Sequence, residues 1–191
     1  MSAAAPRGDT PRGDGLKRVN VIQGETRVSA DDVVLTTVLG SCIAACLYDP
    51  FMKVGGLNHF LLAEPGSGDT DPRSLQRYGV YAMEVLINAM LELGAQRSRL
   101  RARLYGGAAM RDGFRDIGAD NAAFARRFLA QERIALTGED TGGTASRRVE
   151  FRPTLGLARC RRITDPAAAQ RIAPPPAAIL KPASTGDVLF F

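Results

Sequence analysis

The chain of 191 residues has no tryptophan, a single histidine and three cysteines, and its 25 cationic residues include only three lysines. No apolar run approaches the length of about eighteen residues that a membrane span needs. The most apolar stretch, 80–93, is interrupted by Glu84 and Asn88. The N-terminal segment 1–15 has no apolar centre, which argues against a secretory signal. We therefore predict a cytoplasmic protein without direct membrane insertion.

The few cysteines and the single histidine narrow the possible chemistry. Cys42, Cys46 and Cys160 form neither an even disulfide framework nor a pair at the two-residue spacing of metal sites. We therefore predict no metal and no cofactor, and we expect Cys46 and Cys160 to be buried structural thiols. Any acid–base chemistry by an imidazole depends on His59, because the chain has no other histidine.

The charge balance is basic, with a formal net charge of +5. This value is compatible with a nucleic-acid partner, an acidic protein partner or an arginine-rich proteome. Nucleic-acid surfaces combine basic with aromatic side chains, whereas aromatics are only 6% here, so we predict no nucleic-acid partner. Arginines recur at every second position from 97 to 103, which predicts a basic stripe that is either solvated or docks an acidic helical partner.

Composition divides the chain into three parts. Residues 1–16 mix Pro, Gly, Asp and Arg without periodicity, which predicts a disordered arm. Residues 164–191 are rich in Pro and Ala, which predicts a flexible C-terminal tail. The remaining domain, 17–163, is long enough to bury about two thirds of its unfolded surface.

Within this domain, apolar periodicity predicts a mixed α/β fold with a largely antiparallel sheet and two principal helices. The helices are expected at 73–93 and at 121–131, the second capped by Asp120 or Asn121. Strands are expected at 17–23, 32–39, 43–48, 54–62, 99–105, 133–137, 147–152 and 155–163.

A hairpin predicted around Asp49 brings two chemically interesting residues together. A two-residue loop at Pro50–Phe51 pairs Cys42 directly with His59, with their Cβ atoms about 5 Å apart. A four-residue loop makes them diagonal neighbours on the same face. A three-residue loop places them on opposite faces and removes the pairing.

This proximity has a use in catalysis. A neighbouring imidazolium lowers the pKa of a thiol and supplies a general acid for the leaving group. Backbone N–H groups of the turn 40–42 could stabilise an oxyanion, and Thr36, or Thr37 beside it, could orient the second ring nitrogen. The alternative is that Cys42 is a core residue and His59 a hydrogen-bonded strand residue.

Several motifs, in this order, make the chain resemble the chemoreceptor glutamine deamidase family, CheD. The resemblance covers about residues 18–163. Its motifs are TTVLGSCIAACLYDP at 36–50, GGLNHF at 55–60, RY at 77–78, YGGAAM at 105–110, IG at 117–118 with Asn121, EDTGG at 139–143 and RRVEF at 147–151.

The resemblance implies a three-layer α/β sandwich and a thiol hydrolase that converts chemoreceptor glutamines to glutamates. It implies Cys42 as nucleophile, His59 as general base and acid, and Thr36 as the threonine that orients the histidine. Its implied partners are chemoreceptor cytoplasmic domains and a CheC-type phosphatase. The alternative is a non-catalytic chemotaxis adaptor that binds receptors or such a phosphatase; the presence of all three implied catalytic residues argues against it.

Overall fold

The computed structural model describes residues 15–62, 72–109 and 116–163. The tail predicted at 164–191 and nearly all of the arm predicted at 1–16 lie outside these residues. The helices are α1 (Pro72–Glu92) and α2 (Ile117–Gln131). The strands are β1 (Lys17–Asn20), β2 (Thr26–Ser29), β3 (Val33–Leu39), β4 (Ile43–Asp49), β5 (Val54–Phe60), β6 (Arg101–Gly106), β7 (Ala135–Thr141), β8 (Ser146–Arg152) and β9 (Leu157–Ile163).

The strands form two sheets, with the orders β1-β3-β8-β9 and β2-β5-β4-β6-β7. The β1–β3 and β6–β7 pairs are parallel, and the remaining pairs in the described chain are antiparallel. The predicted mixed, largely antiparallel character is confirmed. The division into two sheets was not visible in strand patterns alone, because it depends on which strands pair across the chain.

The sheets and helices stack as three layers, as the resemblance implied. Both helices pack on one face of the five-stranded sheet, and the four-stranded sheet covers its other face. Both faces of β4 are therefore buried, which explains its almost uninterrupted apolar sequence. Along this strand Ile43, Ala45 and Leu47 face the helices, and Ala44, Cys46 and Tyr48 face the four-stranded sheet.

Several element boundaries differ from the predicted ones by a few residues, and one strand was not predicted. The short strand β2 was missed, because its sequence TRVS carries only one strongly apolar side chain. Helix α2 begins four residues before the predicted 121, and its cap is Asp116, whose carboxylate accepts a hydrogen bond from Ala119 N at 2.9 Å. No helix in the described residues is long and apolar enough to cross a membrane.

The predicted basic stripe is not formed. Arg97 and Arg99 lie in a 3₁₀ turn that precedes β6, so the alternation of a strand does not extend to them. Arg97 forms ion pairs with Glu84 and Glu132. Arg99 pairs with Asp49, which is fully buried. These two arginines therefore stabilise the fold and do not belong to one basic surface.

Asp49 organises the turn between β4 and β5. Its carboxylate accepts backbone N–H bonds from Phe51 (2.9 Å), Met52 (3.2 Å) and Gln96 (3.0 Å), and a side-chain bond from Arg99 Nε (3.1 Å). Burial alone would raise the pKa of Asp49, but these hydrogen bonds outweigh it and lower the pKa to about 2. Asp49 pairs with Val54 across a four-residue loop, and this pairing sets the register of the hairpin.

Candidate active site

The hairpin places Cys42 and His59 on one face of the five-stranded sheet. His59 lies opposite Ala44, and Cys42 precedes Ala44 by two residues, so the pair are diagonal neighbours. Both are nearly buried, with 8% of Cys42 and 7% of His59 exposed. Of the three loop lengths considered, the structure contains the four-residue one.

The turn that carries Cys42 is fixed through its carbonyl groups. All three carbonyls accept hydrogen bonds from the loop after β6 or from α2, which holds the turn rigidly on that side. Gly40 O accepts from Ala108 N (2.9 Å), Ser41 O from Asn121 Nδ2 (2.9 Å) and Cys42 O from Gly107 N (2.8 Å).

Asn121 uses both ends of its amide at the site. While Nδ2 donates to Ser41, its Oδ1 accepts a bond from Leu62 N at 3.0 Å. The side chain is fully buried, and it joins the turn that carries Cys42 to the segment that follows β5. From its sequence context, Asn121 was expected only as a possible helix cap and as part of a motif.

Gly106 allows the loop after β6 to approach Cys42 closely. Its φ is +107°, and a Cβ atom at this position would lie 2.1 Å from Cys42 O. No side chain fits that space. The Gly106–Gly107 pair is therefore a tight turn that lines the site.

The ring of His59 is oriented through Nδ1. Thr37 Oγ1 lies 2.9 Å from Nδ1 and donates its own proton to Val21 O at 2.7 Å. Since a hydroxyl has one proton, Thr37 accepts from Nδ1–H. This chain leaves the lone pair on Nε2, which is buried and has no hydrogen-bond partner in the described structure.

Thr36, which the resemblance implied as the orienting threonine, is not the threonine that contacts the ring in this structure. Successive residues of a strand face opposite sides, and Thr37 is the one that faces the five-stranded sheet. The hydroxyl of Thr36 lies 3.5 Å from Asn20 Oδ1 instead. The alternative drawn from the residues alone, Thr37, agrees with the observed contact.

Burial keeps the imidazole neutral. It lowers the pKa of His59 from its ordinary value of 6.5 to about 4, although a bond to the carbonyl of Val21 opposes the shift. The imidazolium expected beside Cys42 is therefore not the resting form at pH 7. In the resting site a neutral ring presents the Nε2 lone pair as a base.

One polar group that contacts the Cys42 sulfur belongs to Gln23, in the loop between β1 and β2. Sγ donates to Gln23 Oε1 at 3.4 Å. Gln23 could not be predicted as a site residue, since a glutamine in a polar loop carries no periodic signal. The next two residues of the loop form hydrogen bonds with the backbone of His59. Gly24 N donates to His59 O (2.8 Å), and His59 N donates to Glu25 O (3.0 Å).

The two other cysteines lie in different surroundings. Cys46 is fully buried between the sheets, and burial raises the pKa of its thiol. Burial and the nearby carboxylate of Asp140 raise the pKa of Cys160 to about 11. Both thiols are therefore protonated at neutral pH, consistent with structural roles. The described residues contain no group of three His, Cys, Asp or Glu side chains that could hold a metal ion.

A separate cavity of about 320 Å³ lies between β2, β5 and α1. Its lining includes Asn58, Tyr78, Tyr81 and Ala82. Asn58 donates to the carbonyl of Ala82 at 3.0 Å, so this side of β5 faces α1. His59 also lines this cavity, but Cys42 is not among the lining residues. The imidazole of His59 faces the four-stranded sheet, where it contacts Thr37.

Comparison with known proteins identifies the family. A family model described as CheD chemotactic sensory transduction matches residues 61–162. The chain is 63% identical over 179 residues to a probable chemoreceptor glutamine deamidase CheD of Zymomonas mobilis, covering 93% of this chain and 94% of that protein. It is 51% identical over 175 residues to the protein of the same name in Caulobacter vibrioides, covering 91% and 93%.

The chain belongs to the CheD family. The resemblance inferred from its motifs is thereby confirmed. The match to the CheD family model begins at residue 61, after both Cys42 and His59. The roles of these two residues within the CheD chain consequently rest on the geometry described above.

Proposed function

We propose that this protein is a chemoreceptor glutamine deamidase in which Cys42 is the nucleophile and His59 the general base and acid. The observation that carries the proposal is the Nε2 atom of His59, buried, without a partner in the described structure, and on the same face as Cys42. A buried ring nitrogen without a hydrogen bond is energetically unfavourable. It is explained if the atom must accept the thiol proton during catalysis.

The first half of the proposed reaction forms a thioester. As the Cys42 sulfur attacks the carboxamide carbon of a receptor glutamine, its proton passes to Nε2 of His59. The carbon–nitrogen bond then breaks, and Nε2–H supplies the proton with which ammonia leaves. Thr37 keeps the second ring nitrogen in place, so that Nε2 faces the reacting atoms in both steps.

The second half releases the product. Water attacks the thioester carbonyl while Nε2 removes its proton, and that proton returns to the sulfur when the carbon–sulfur bond breaks. The net change is one glutamine and one water converted to one glutamate and one ammonium ion. The names of the relatives, which specify chemoreceptors, support receptor cytoplasmic domains as the substrate.

The test is the intact mass of a receptor cytoplasmic fragment before and after incubation with the protein. We expect a gain of about 1 Da and one ammonia per modified site, with the receptor chain uncut and no added amine required. The Cys42→Ala protein is the matched control. Cleaved fragments would indicate a protease, and a requirement for a primary amine would indicate a transglutaminase.

An unmodified receptor that nevertheless binds the protein would favour the non-catalytic adaptor. In that case, binding to receptor fragments and to a CheC-type phosphatase would be measured directly, with the Cys42→Ala protein expected to bind as tightly as the unaltered one. Deamidation by the unaltered protein contradicts this alternative.

A further inference from the structure

The Gln23 carboxamide occupies a position at the reactive thiol that the mechanism above does not use. Its Oε1 atom lies 3.4 Å from Cys42 Sγ. Cys42 is 8% exposed, whereas Gln23 is an exposed residue. The carboxamide therefore forms part of the boundary between the thiol and the solvent, where an incoming carbonyl group must approach.

The loop that carries Gln23 is held by the backbone of the catalytic histidine. Gly24 N donates to His59 O at 2.8 Å, and His59 N donates to Glu25 O at 3.0 Å. Within the loop, Glu25 N donates to Ile22 O (3.0 Å), and the Glu25 carboxylate accepts a bond from Ile22 N (3.2 Å). These bonds fix the backbone on both sides of Gln23 relative to His59, so that its side chain is held within reach of Cys42.

Attack by a thiol on a carboxamide places negative charge on the carbonyl oxygen. In the tetrahedral intermediate this oxygen and the sulfur are bonded to the same carbon, so a donor near the sulfur is also near the oxygen. Glutamine side chains are among the groups that serve as such donors. The carbonyls of the turn 40–42 are all held by other residues, which fixes the backbone beside the sulfur.

We propose that the Gln23 side-chain NH₂ group donates a hydrogen bond to this oxyanion, which makes Gln23 a catalytic residue. The assignment rests on the proposed role of Cys42 as nucleophile. Gln23 itself neither gains nor loses a covalent bond in the reaction.

The resting contact is compatible with this role. While the thiol is protonated, it donates to Oε1 of Gln23. Once the proton has moved to His59 Nε2, the sulfur has no hydrogen to donate, and a carbonyl oxygen beside it is repelled. The terminal torsion of glutamine is broad and roughly two-fold, so half a turn replaces Oε1 with the NH₂ group.

The test compares two reactions of the same thiol. Acylation by p-nitrophenyl acetate passes through an oxyanion, whereas alkylation by iodoacetamide does not. We expect Gln23→Ala to slow acylation of Cys42 by about tenfold or more and to leave its alkylation within about twofold. Gln131→Ala, which alters an exposed glutamine at the end of α2, is the matched control and should change neither rate.

With a receptor fragment as substrate, Gln23→Ala should lower kcat by about 10²-fold, with KM changed little. Gln23→Glu should be equally impaired in acylation, because an ionised carboxylate has no hydrogen to donate. Circular dichroism and the midpoint of thermal unfolding of each variant should match those of the unaltered protein.

Three results would overturn the assignment. Unchanged acylation in Gln23→Ala would show that the side chain supplies no donor. If Gln23→Ala is both alkylated and acylated faster, the Gln23 side chain only blocks access to the thiol by occupying the substrate site. An equal loss in both reactions would show that it acts on the thiol itself.

The two reagents separate this assignment from the proposed function, since neither requires a receptor. A selective loss of acylation in Gln23→Ala supports the oxyanion role even if receptor fragments are not deamidated. Receptor deamidation that is unaffected by Gln23→Ala overturns the oxyanion role alone. If neither reagent modifies Cys42 in the unaltered protein, both proposals are wrong.

Discussion

At the turn of the β4–β5 hairpin the buried carboxylate of Asp49 accepts hydrogen bonds from four residues. At the open end of the same hairpin the buried ring of His59 has a partner at Nδ1, and Nε2 is without one in the described chain. These two buried polar groups, on adjacent strands, therefore differ in how completely they are hydrogen-bonded. Complete hydrogen bonding is typical of a group that stabilises the fold, and an open position is typical of a group that reacts.

The pKa values of the two groups are lowered for opposite reasons. Burial would raise the pKa of Asp49, and its hydrogen bonds reverse this effect by stabilising the charged form. Burial lowers the pKa of His59 because it destabilises the charged form. The charged form of Asp49 therefore contributes to stability, whereas the charged form of His59 reduces it.

The largest effect is expected from Cys42→Ala, which removes the nucleophile from the open end. Deamidation of a receptor fragment should fall by about four orders of magnitude or more, while the midpoint of urea unfolding changes little. Cys46→Ala, within β4 and fully buried between the sheets, should retain most of the activity and lose stability through a small cavity. Near-normal turnover by Cys42→Ala would contradict the assignment of the nucleophile.

His59→Asn should lower kcat by about 10²- to 10⁴-fold, since it removes the base that accepts the thiol proton. In the unaltered protein the acid limb of kcat/KM should lie near the lowered pKa of about 4, because activity is lost only when Nε2 is protonated. The measurement is the pH profile of deamidation. An acid limb near 6.5, the ordinary pKa of histidine, would contradict the burial of the ring seen in the structure.

The same group should make stability depend on pH. The unfolded chain binds the His59 proton more tightly than the folded one, so stability is complete above pH 6.5 and falls as the pH drops towards about 4. The contribution lost is about 3 kcal/mol. Urea unfolding between pH 7 and pH 4 should therefore show a steeper loss for the unaltered protein than for His59→Asn. Identical pH slopes would contradict the burial of a neutral ring.

Asp49→Asn tests the other end of the hairpin. It should lower the free energy of unfolding by about 2 kcal/mol, because Arg99 and three backbone N–H groups lose a charged acceptor. In the unaltered protein this contribution is present above the ordinary pKa of 3.8 and is lost as the pH falls through about 2. Alkylation of Cys42 should be unchanged, and a large decrease would show that the two ends are coupled.

The smallest effect is expected from the two threonines of β3. Thr37→Val removes the acceptor of the His59 Nδ1 proton and should lower kcat/KM by about tenfold, since both reacting groups remain in place. Thr36→Val has the same change in shape and should alter kcat/KM by less than about twofold. The reverse order of these effects, measured by receptor deamidation, would restore Thr36 as the orienting residue.

The elements that have local causes could be predicted from the pattern of residues. Turn residues around Asp49 and alternating apolar residues predicted the β4–β5 hairpin, and helical periodicity predicted α1 and α2. The same alternation placed Cys42 and His59 on one face for two of three loop lengths. These features follow from side-chain period and turn chemistry, which act over a few residues.

Features that depend on contacts between distant segments could not be predicted in this way. The loop length is set where Asp49 meets Gln96 and Arg99, about fifty residues along the chain. Thr37 rather than Thr36 orients His59 because the packing of the two sheets selects one face of β3. The division into two sheets, missed from strand patterns, has the same origin.

The protonation state of the site and the placement of Gln23 were also decided only by the fold. A histidine in the sequence has its ordinary pKa until burial between two sheets makes the charged ring unfavourable. The Gln23 carboxamide reaches Cys42 because its loop is bonded to the backbone of His59. Burial and hydrogen bonds of this kind exist only after separate strands have come together, and no local pattern encodes them.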